Sequence, residues 1–237
     1  MEEVGMMNEN IKFFKFENAQ ELVLELADNI AHNLQKEINE TGKASLLVSG
    51  GSTPKALFER LSTLEIDWRK VNVSLVDERW VSTYDKDSNE RLVRENLLVG
   101  KASKANFVSY FIQNKSAFES VEECEKIIKN DLFPFCVVVL GMGSDAHTAS
   151  IFPNNSKCDE AFTTHSLCFS CTPETAKHDR MSLSLSAILS AKNIYLHFEG
   201  EEKQEVFDQA VAGANIKEMP IRAVLNQTNK EVEVYTA

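Results

Sequence analysis

The stretch CVVVLGMGSDAHTASIFP, residues 136–153, carries more information about this protein than any other part of the chain. It begins as an apolar, β-branched run that ends in two glycines, and Asp145 and His147 follow before a short helix-like segment. In an open α/β sheet, ligands bind beyond the carboxyl ends of the strands, where loops lead into helix N-termini. A histidine placed there can accept or donate a proton near neutral pH. The stretch therefore predicts chemistry at a strand end of an α/β fold.

Length and composition are those of an ordinary soluble globular protein. The chain has 237 residues, of which 43% are hydrophobic and 26% charged, and no apolar run approaches the length of a membrane helix. Residues 1–10 include three acidic residues and no apolar signal-peptide core, so we expect a cytoplasmic protein. We interpret residues 1–10 as a flexible extension and residues 11–237 as one domain.

The net charge of −11 argues against a nucleic-acid partner, because neutralising phosphates requires a concentrated basic face. It leaves room for a small anionic substrate bound by a few converging basic side chains. The five cysteines are odd in number and scattered, so a disulfide framework is not expected. Cys168 and Cys171 form a CxxC within a predicted strand, where residues three apart face opposite sides. They are interpreted as ordinary buried thiols rather than metal ligands.

Helical and strand-like patterns alternate along the chain, which is typical of α/β layering with a largely parallel sheet. Helices are predicted from Leu22 through Ile38 with an end at Gly42, from Pro54 to Leu61, from an Asp87–Glu90 capping box to Leu98, from a Ser116–Glu119 capping box to Ile128, and over 201–211. Strands are predicted over 44–48, 71–76, 136–140, 167–171, 181–185, 193–198 and 231–235.

Two further segments lie where predicted strands end. Ser49–Thr53 could hold an anion on its exposed N–H groups and hydroxyls, or it could be a tight turn with a Ser or Thr helix cap. The residues alone do not decide between these two. Arg79, in the DERW segment 77–80, could bind a phosphate or a developing oxyanion, although a surface ion pair among consecutive charges is slightly favoured.

The segment GMGSDA, 141–146, also fits a GxGxxA dinucleotide fingerprint. That fingerprint requires a full crossover helix and an acidic residue at the end of a second strand. Pro153 follows too soon for such a helix, so a nucleotide cofactor is not favoured.

Asp145 and His147 are interpreted as a polar pair, because a carboxylate can orient an imidazole and fix its tautomer. The alternative is a helix-capping Asp145 beside an incidental His147. The other four histidines lack a comparable setting and are given low functional weight; they are His32, His165, His178 and His197.

Four blocks in order resemble the 6-phosphogluconolactonases: VSGGSTP (48–54), LVDERWV (75–81), SNER (88–91) and LGMGSDAHTASIFP (140–153). The ordered set is highly specific and extends from about residue 10 to the C-terminus. The resemblance implies hydrolysis of 6-phospho-D-glucono-1,5-lactone to 6-phospho-D-gluconate without a cofactor. It also implies the fold of the sugar-phosphate isomerases, a three-layer α/β sandwich whose largely parallel central sheet has helices on both faces.

The related glucosamine-6-phosphate deaminases share the glycine loop and a Gly-x-Asp-Gly-His motif. They continue with Ile-Ala-Phe-Asn-Glu-Pro, whose glutamate serves ring opening and isomerisation. This chain has Phe152 at the position of that glutamate, which favours the lactonase. One departure concerns Ala146, because both families have glycine there; if the position requires a positive φ, alanine adds strain of about 1 kcal/mol.

The resemblance also implies roles for single residues. Phosphate ligands are expected at Gly50, Gly51, Ser52, Thr53, Arg180 and Lys203. His147 is expected to be the general base, oriented by Asp145, with Arg79 at the oxyanion or the phosphate. No Gly-x-Ser-x-Gly motif is present, so water is expected to attack directly. No metal site or nucleic-acid or membrane partner is expected, and the protein is expected to be a monomer or homodimer. A non-catalytic sugar-phosphate sensor and a deaminase-like isomerase stay open as alternatives.

Overall fold

A computed structural model describes residues 8–237 of the chain, and a parallel sheet forms its centre. The strands are β1 (Ile11–Lys15), β2 (Ala44–Val48), β3 (Val71–Leu75), β4 (Asp77–Arg79), β5 (Asn106–Phe107), β6 (Val137–Leu140), β7 (Cys168–Cys171), β8 (Arg180–Leu183), β9 (Asn193–Phe198) and β10 (Val232–Thr236). Seven of them pair in the order β1-β10-β9-β6-β2-β3-β5, and every pair is parallel. The predicted largely parallel central sheet is confirmed.

The α-helices are α1 (Ala19–Thr41), α2 (Lys55–Ser62), α3 (Asn89–Asn96), α4 (Ala117–Asp131), α5 (Leu185–Leu189), α6 (Glu201–Ala212) and α7 (Arg222–Leu225). Parallel strands are joined by right-handed crossovers. The connections from β1 through β5 each lead to a strand nearer the β5 edge, so α1, α2 and α3 lie on one face of the sheet. The later connections lead back toward the β1 edge, so α4 and α6 lie on the other face. The buried apolar residues of α1, among them Leu26, Ile30 and Leu34, pack in the core.

Capping residues in the sequence mark several of the helix ends. Asn18 caps α1 by accepting a hydrogen bond from the N–H of Glu21, and Gly42 ends the helix in the left-handed region with φ of 87°. The predicted Ser116–Glu119 capping box is present at the start of α4. The capping box predicted from Asp87 is wrong, because Ser88 caps α3 and its hydroxyl accepts from the N–H of Arg91.

A second, antiparallel sheet in the order β4-β8-β7 was not predicted. The strands expected near 167–171 and 181–185 do form, but they pair with each other and with the DERW segment instead of joining the central sheet. This small sheet places Arg79 directly opposite Arg180. It therefore delivers two arginines, about a hundred residues apart in sequence, to one place.

Other details also differ from the sequence expectations. β1 and β5 were not predicted, and the helix-like segment after His147 forms turns and an isolated bridge between Thr148 and Ile151. The segment 156–162 is a 3₁₀ helix, and a disulfide links its Cys158 to Cys171 of β7, so Cys171 is not a free thiol. Cys124, Cys136 and Cys168 are buried free thiols.

The flexible extension predicted for residues 1–10 falls largely outside the described residues. Within the described part, the side-chain amide of Asn8 donates to the carbonyls of Leu225 (3.2 Å) and Gln227 (2.8 Å). Residues 8–237 contain no helix with the length and apolarity that crossing a membrane requires.

Candidate active site

A cavity of about 430 Å³ opens at the carboxyl ends of β2, β6 and β9, beside the small antiparallel sheet. This is the edge at which open α/β sheets bind ligands. Of the nine residues to which the sequence gave a site role, eight line the cavity: Gly50, Gly51, Ser52, Thr53, Arg79, His147, Arg180 and Lys203. The ninth, Asp145, reaches the cavity through His147.

Asp145 and His147 form a closely bonded pair. Oδ1 of Asp145 lies 2.5 Å from Nδ1 of His147 and also accepts the backbone N–H of His147 at 3.1 Å. No helix follows, so Asp145 is not a helix cap. Partial burial favours the neutral carboxyl, but the hydrogen bonds and charge of His147 outweigh it and hold the pKa of Asp145 below its usual value. The imidazole is thus fixed in place, with its other nitrogen left for a ligand.

The loop that carries this pair needs unusual backbone geometry. Ala146 has φ of 64°, so the position does require the left-handed conformation that glycine adopts without cost. A side chain at Gly143 would collide with the pair, because its Cβ would lie 2.1 Å from Nδ1 of His147 and 2.5 Å from Oδ1 of Asp145. Glycine at 143 is therefore what lets the backbone close against the pair.

All five residues of the glycine loop Ser49–Thr53 line the cavity. Residue 54, a proline, caps α2 without a side-chain hydrogen bond, so neither Ser52 nor Thr53 acts as the helix cap. The N–H groups of residues 50–53 make no hydrogen bond to any described residue. Gly50 also fits tightly, since a Cβ there would lie 1.9 Å from Oδ1 of Asn89. The loop therefore presents a row of open donors to the cavity.

Arg180 is a buried cation that forms no ion pair with any residue from 8 to 237. Only 7% of the residue is exposed, and its Nε has no hydrogen-bond partner among the described residues. Burial lowers the pKa of the guanidinium, and Arg79 adds repulsion, while Asp77 and Glu78 oppose these effects. The guanidinium of Arg79 donates to the carbonyl of Asp87 at 2.8 Å and to no other described residue. An unpaired buried guanidinium is costly, so this geometry is suited to an anionic ligand.

Lys203 adds a third positive charge. Its Nζ donates to the carbonyl of Met142 at 2.9 Å, and burial lowers its pKa. Residues 8–237 form thirteen ion pairs, three of which involve a histidine. None of the thirteen includes Arg79, Arg180 or Lys203. In an acidic protein, three unpaired positive charges in one cavity give that cavity a charge suited to a small anion.

The lining residues to which the sequence gave no catalytic or binding role include Asp77, Asn89, Phe152 and His197. Asp77 accepts from the hydroxyl of Ser150 at 2.6 Å, and the amide of Asn89 donates to the carbonyl of Asp77 at 3.0 Å. Asp77 and Asn89 stand in the DERW and SNER blocks, so the motif itself was the available signal. His197 had no such signal, because it alternates within β9 like any strand residue.

Behind the cavity, the buried carboxyl of Glu78 ties β4 to the start of α3. It accepts the N–H groups of Arg79, Asn89 and Glu90, at 2.7 to 2.8 Å, and the hydroxyl of Ser88 at 3.1 Å. Burial outweighs these hydrogen bonds and raises the pKa of Glu78 to about 7. Glu78 thereby fixes the positions of Arg79 and Asn89 without touching the cavity.

Neither a metal site nor a dinucleotide site is built here by the described residues. No group of three or more His, Cys, Asp or Glu side chains among them could hold a metal ion. The crossover helix that a dinucleotide fingerprint needs does not form after residues 141–146, which continue as turns.

Comparisons with known proteins agree with this geometry. The sequence model of the family described as glucosamine-6-phosphate isomerases/6-phosphogluconolactonase matches residues 17–234. The 6-phosphogluconolactonase of Rhizobium meliloti is 42% identical over 228 residues, covering 94% of this chain and 97% of that protein. That of Neisseria meningitidis is 41% identical over 227 residues, with the same coverage of both chains.

Solved structures give the same result. The crystal structure of a 6-phosphogluconolactonase from Shewanella baltica superposes with a TM-score of 0.94 at 44% identity, covering 98% of this chain and 99% of that one. The enzyme from Thermotoga maritima, at 22% identity and a TM-score of 0.78, covers 95% of this chain and 99% of its own and shows the shared fold alone. With the parallel sheet, the glycine loop and the Asp145–His147 pair in the family's order, this chain belongs to the glucosamine-6-phosphate isomerase/6-phosphogluconolactonase family.

Proposed function

We propose that this protein hydrolyses 6-phospho-D-glucono-1,5-lactone to 6-phospho-D-gluconate, with His147 as the general base. One observation carries the proposal: three cations without counterions and a carboxylate-held histidine line the same cavity. The cations match a phosphate, and the histidine matches the proton transfer that lactone hydrolysis needs. The names of the relatives at 41% and 42% identity agree with this reaction.

The phosphate end of the cavity is formed by the open N–H groups and hydroxyls of residues 50–53, together with Arg180 and Lys203. Backbone donors at the start of a helix and charge-assisted hydrogen bonds from a guanidinium are suited to a phosphate monoester. Phosphate binding relieves the cost of the buried, unpaired guanidinium, so it contributes both affinity and specificity.

The chemical step follows from the remaining groups. His147 accepts a proton from a water molecule as the water oxygen forms a bond to the lactone carbonyl carbon. The carbonyl oxygen becomes an oxyanion, which Arg79 stabilises by its charge. The bond from that carbon to the ring oxygen then breaks, and the protonated imidazole returns its proton to the departing oxygen. Asp145 holds the imidazole by Nδ1 and stabilises its charged form throughout.

The side chain that packs against His147 favours lactone hydrolysis over deamination. Phe152, at the position of the deaminase glutamate, stacks on the imidazole with 4.8 Å between ring centroids. A phenyl ring cannot transfer protons, so ring opening and isomerisation lack their acid–base group at this position. The sequence predictions of a cytoplasmic location and of a monomer or homodimer stay predictions.

The test is an assay that couples freshly generated lactone to detection of 6-phospho-D-gluconate, run beside glucosamine 6-phosphate and corrected for spontaneous hydrolysis. The wild type should turn over the lactone alone. His147→Ala should lose about 10²–10⁴ in kcat, the usual contribution of a general base, while the exposed-site control His32→Ala stays at the wild-type rate. Near-normal turnover by His147→Ala would remove His147 from the mechanism. Binding of sugar phosphates without turnover would indicate a sensor instead.

A further inference from the structure

The active-site cavity is also lined by His197, which forms a second imidazole–carboxylate pair with Glu199. His197, near the carboxyl end of β9, lies with its Nε2 2.9 Å from Oε1 of Glu199. The side chain of His197 is 2% exposed, that of Glu199 31%. Neither residue takes part in the mechanism above, and a buried histidine with a dedicated carboxylate is an expensive arrangement for a purely structural position.

The second imidazole nitrogen of His197 has no hydrogen-bond partner among the described residues. Nδ1 of His197 makes no hydrogen bond to any residue from 8 to 237, and it is not among the fully enclosed side-chain atoms that lack a partner. Nδ1 is therefore not fully enclosed, and His197 lines the active-site cavity. Nδ1 is consequently a donor or acceptor that the protein leaves for a ligand.

The position of the pair assigns it to the anion-binding end. In the sheet, His197 lies beside Tyr235 of β10 and, on the other side, one residue beyond the last pair of β6 and β9, at Gly141. Six residues later, in the first turn of α6, Lys203 lines the same cavity. Glu199 also lines the outer groove that contains Ser52 and Thr53 of the glycine loop. His197 therefore shares a cavity with Lys203, and Glu199 shares a groove with Ser52 and Thr53, all of them predicted phosphate ligands.

We infer that His197, held by Glu199 through Nε2, donates a hydrogen bond from Nδ1 to the phosphate of the substrate and so helps to select phosphorylated lactones. Glu199 stabilises the imidazolium, whose second N–H is then a charge-assisted donor. The pair is neutral as a whole, so it adds a directed donor without adding a fourth net charge to the cavity. This inference rests on the proposed function for the identity of the ligand.

The test measures binding, so that it does not depend on turnover. Calorimetry with 6-phospho-D-gluconate and with D-gluconate compares the wild type with His197→Gln, Glu199→Gln and His32→Gln, the last being an exposed histidine on α1. His197→Gln should weaken 6-phospho-D-gluconate about tenfold or more, the range for one charge-assisted hydrogen bond. Glu199→Gln keeps an acceptor for Nε2 but removes the charge, so a smaller loss is expected. D-gluconate binding and the His32 variant should not change.

Equal losses for both ligands would make His197 a structural or hydroxyl-binding residue, and unchanged affinity in both variants would overturn the inference. If His197→Gln does not fold, the nitrogen resonances of His197 in ¹⁵N-histidine-labelled wild type, titrated with inorganic phosphate, must shift to those of the imidazolium; unshifted resonances overturn it too. The lactonase assay is separate. If the wild type turns over the lactone normally but the His197 and Glu199 variants bind 6-phospho-D-gluconate as tightly as the wild type, only this inference is wrong. If the protein binds phosphorylated ligands specifically but does not turn over the lactone, only the proposed reaction is wrong.

Discussion

The phenyl ring of Phe152 stacks on the imidazole of His147, with 4.8 Å between the centroids and 29° between the planes. The guanidinium of Arg180 lies 5.8 Å from the centroid of the same phenyl ring. One apolar side chain therefore contacts the proposed base and stands beside the proposed phosphate ligand. Because protein interiors are close-packed, this ring fixes the spacing between the two groups. A substrate whose phosphate is held by Arg180 presents its carbonyl at a set distance from His147.

Replacing Asp145 tests how much of the catalysis depends on the orientation of His147. Asp145→Asn keeps a hydrogen-bonding side chain of the same size but removes the charge that stabilises the imidazolium. We expect kcat on the phosphorylated lactone to fall about 10–100-fold, within the total contribution of a general base, with little change in KM. Steady-state assays corrected for spontaneous hydrolysis give both constants. Asp208→Asn, on the exposed face of α6, is the control, and a KM effect alone would assign Asp145 to binding.

Replacing Arg180 tests the phosphate assignment. Arg180→Ala should lower kcat/KM for the phosphorylated lactone about tenfold or more, because a charge-assisted hydrogen bond is worth roughly 1.5–3 kcal/mol. Residual turnover of plain glucono-1,5-lactone should hardly change. Arg91→Ala, which removes a solvent-exposed arginine paired with Glu95, should leave both substrates unaffected. Equal losses on the two lactones would place Arg180 in the catalytic or structural machinery instead.

The sequence predicted the parts of this site that are local in the chain. Asp145 and His147 are two residues apart after a β-branched run, and hydrogen bonds within that short loop are enough to pair them. The small sheet β4-β8-β7 was not predicted, because the pairing of Arg79 with Arg180 joins segments that are distant in the sequence, and a local hydrophobic pattern does not indicate such pairing. The sequence gave no site role to His197, because that role depends on its hydrogen bond to Glu199 and on the cavity beside it. A strand pattern indicates neither of these.

Ala146 tests how the chain tolerates alanine at a left-handed position. Its φ of 64° costs about 1–2 kcal/mol for a non-glycine residue. Ala146→Gly removes that strain, but it frees the unfolded chain by about 0.4–1 kcal/mol and loses a fully buried methyl group worth about 0.8 kcal/mol. These effects nearly cancel, so the free energy of unfolding should change by less than about 1 kcal/mol, and lactonase activity should stay within a few-fold.

The contrast is Ala146→Val, whose branched side chain is strongly disfavoured at positive φ and has no space in the core. It should destabilise the protein by more than about 2 kcal/mol in urea denaturation. If the glycine variant instead proved much more stable than the wild type, the strain at Ala146 would exceed the ordinary left-handed cost.

Glu78 makes stability depend on pH. Its pKa rises from 4.5 to about 7 on folding, mainly through burial. Below pH 4.5 the carboxyl is protonated in both states, and between pH 4.5 and 7 it ionises in the unfolded chain first. The group therefore costs stability as the pH rises through this window, by about 3 kcal/mol in all, and the cost persists above it.

Glu78→Gln cannot titrate, so urea denaturation of both proteins at pH 5 and pH 8 isolates the effect. Between these values the stability of the wild type should fall relative to the variant, because only the wild type must ionise a buried carboxyl. Parallel pH profiles would mean that the four hydrogen bonds to Glu78 outweigh its burial and keep the carboxylate ionised throughout.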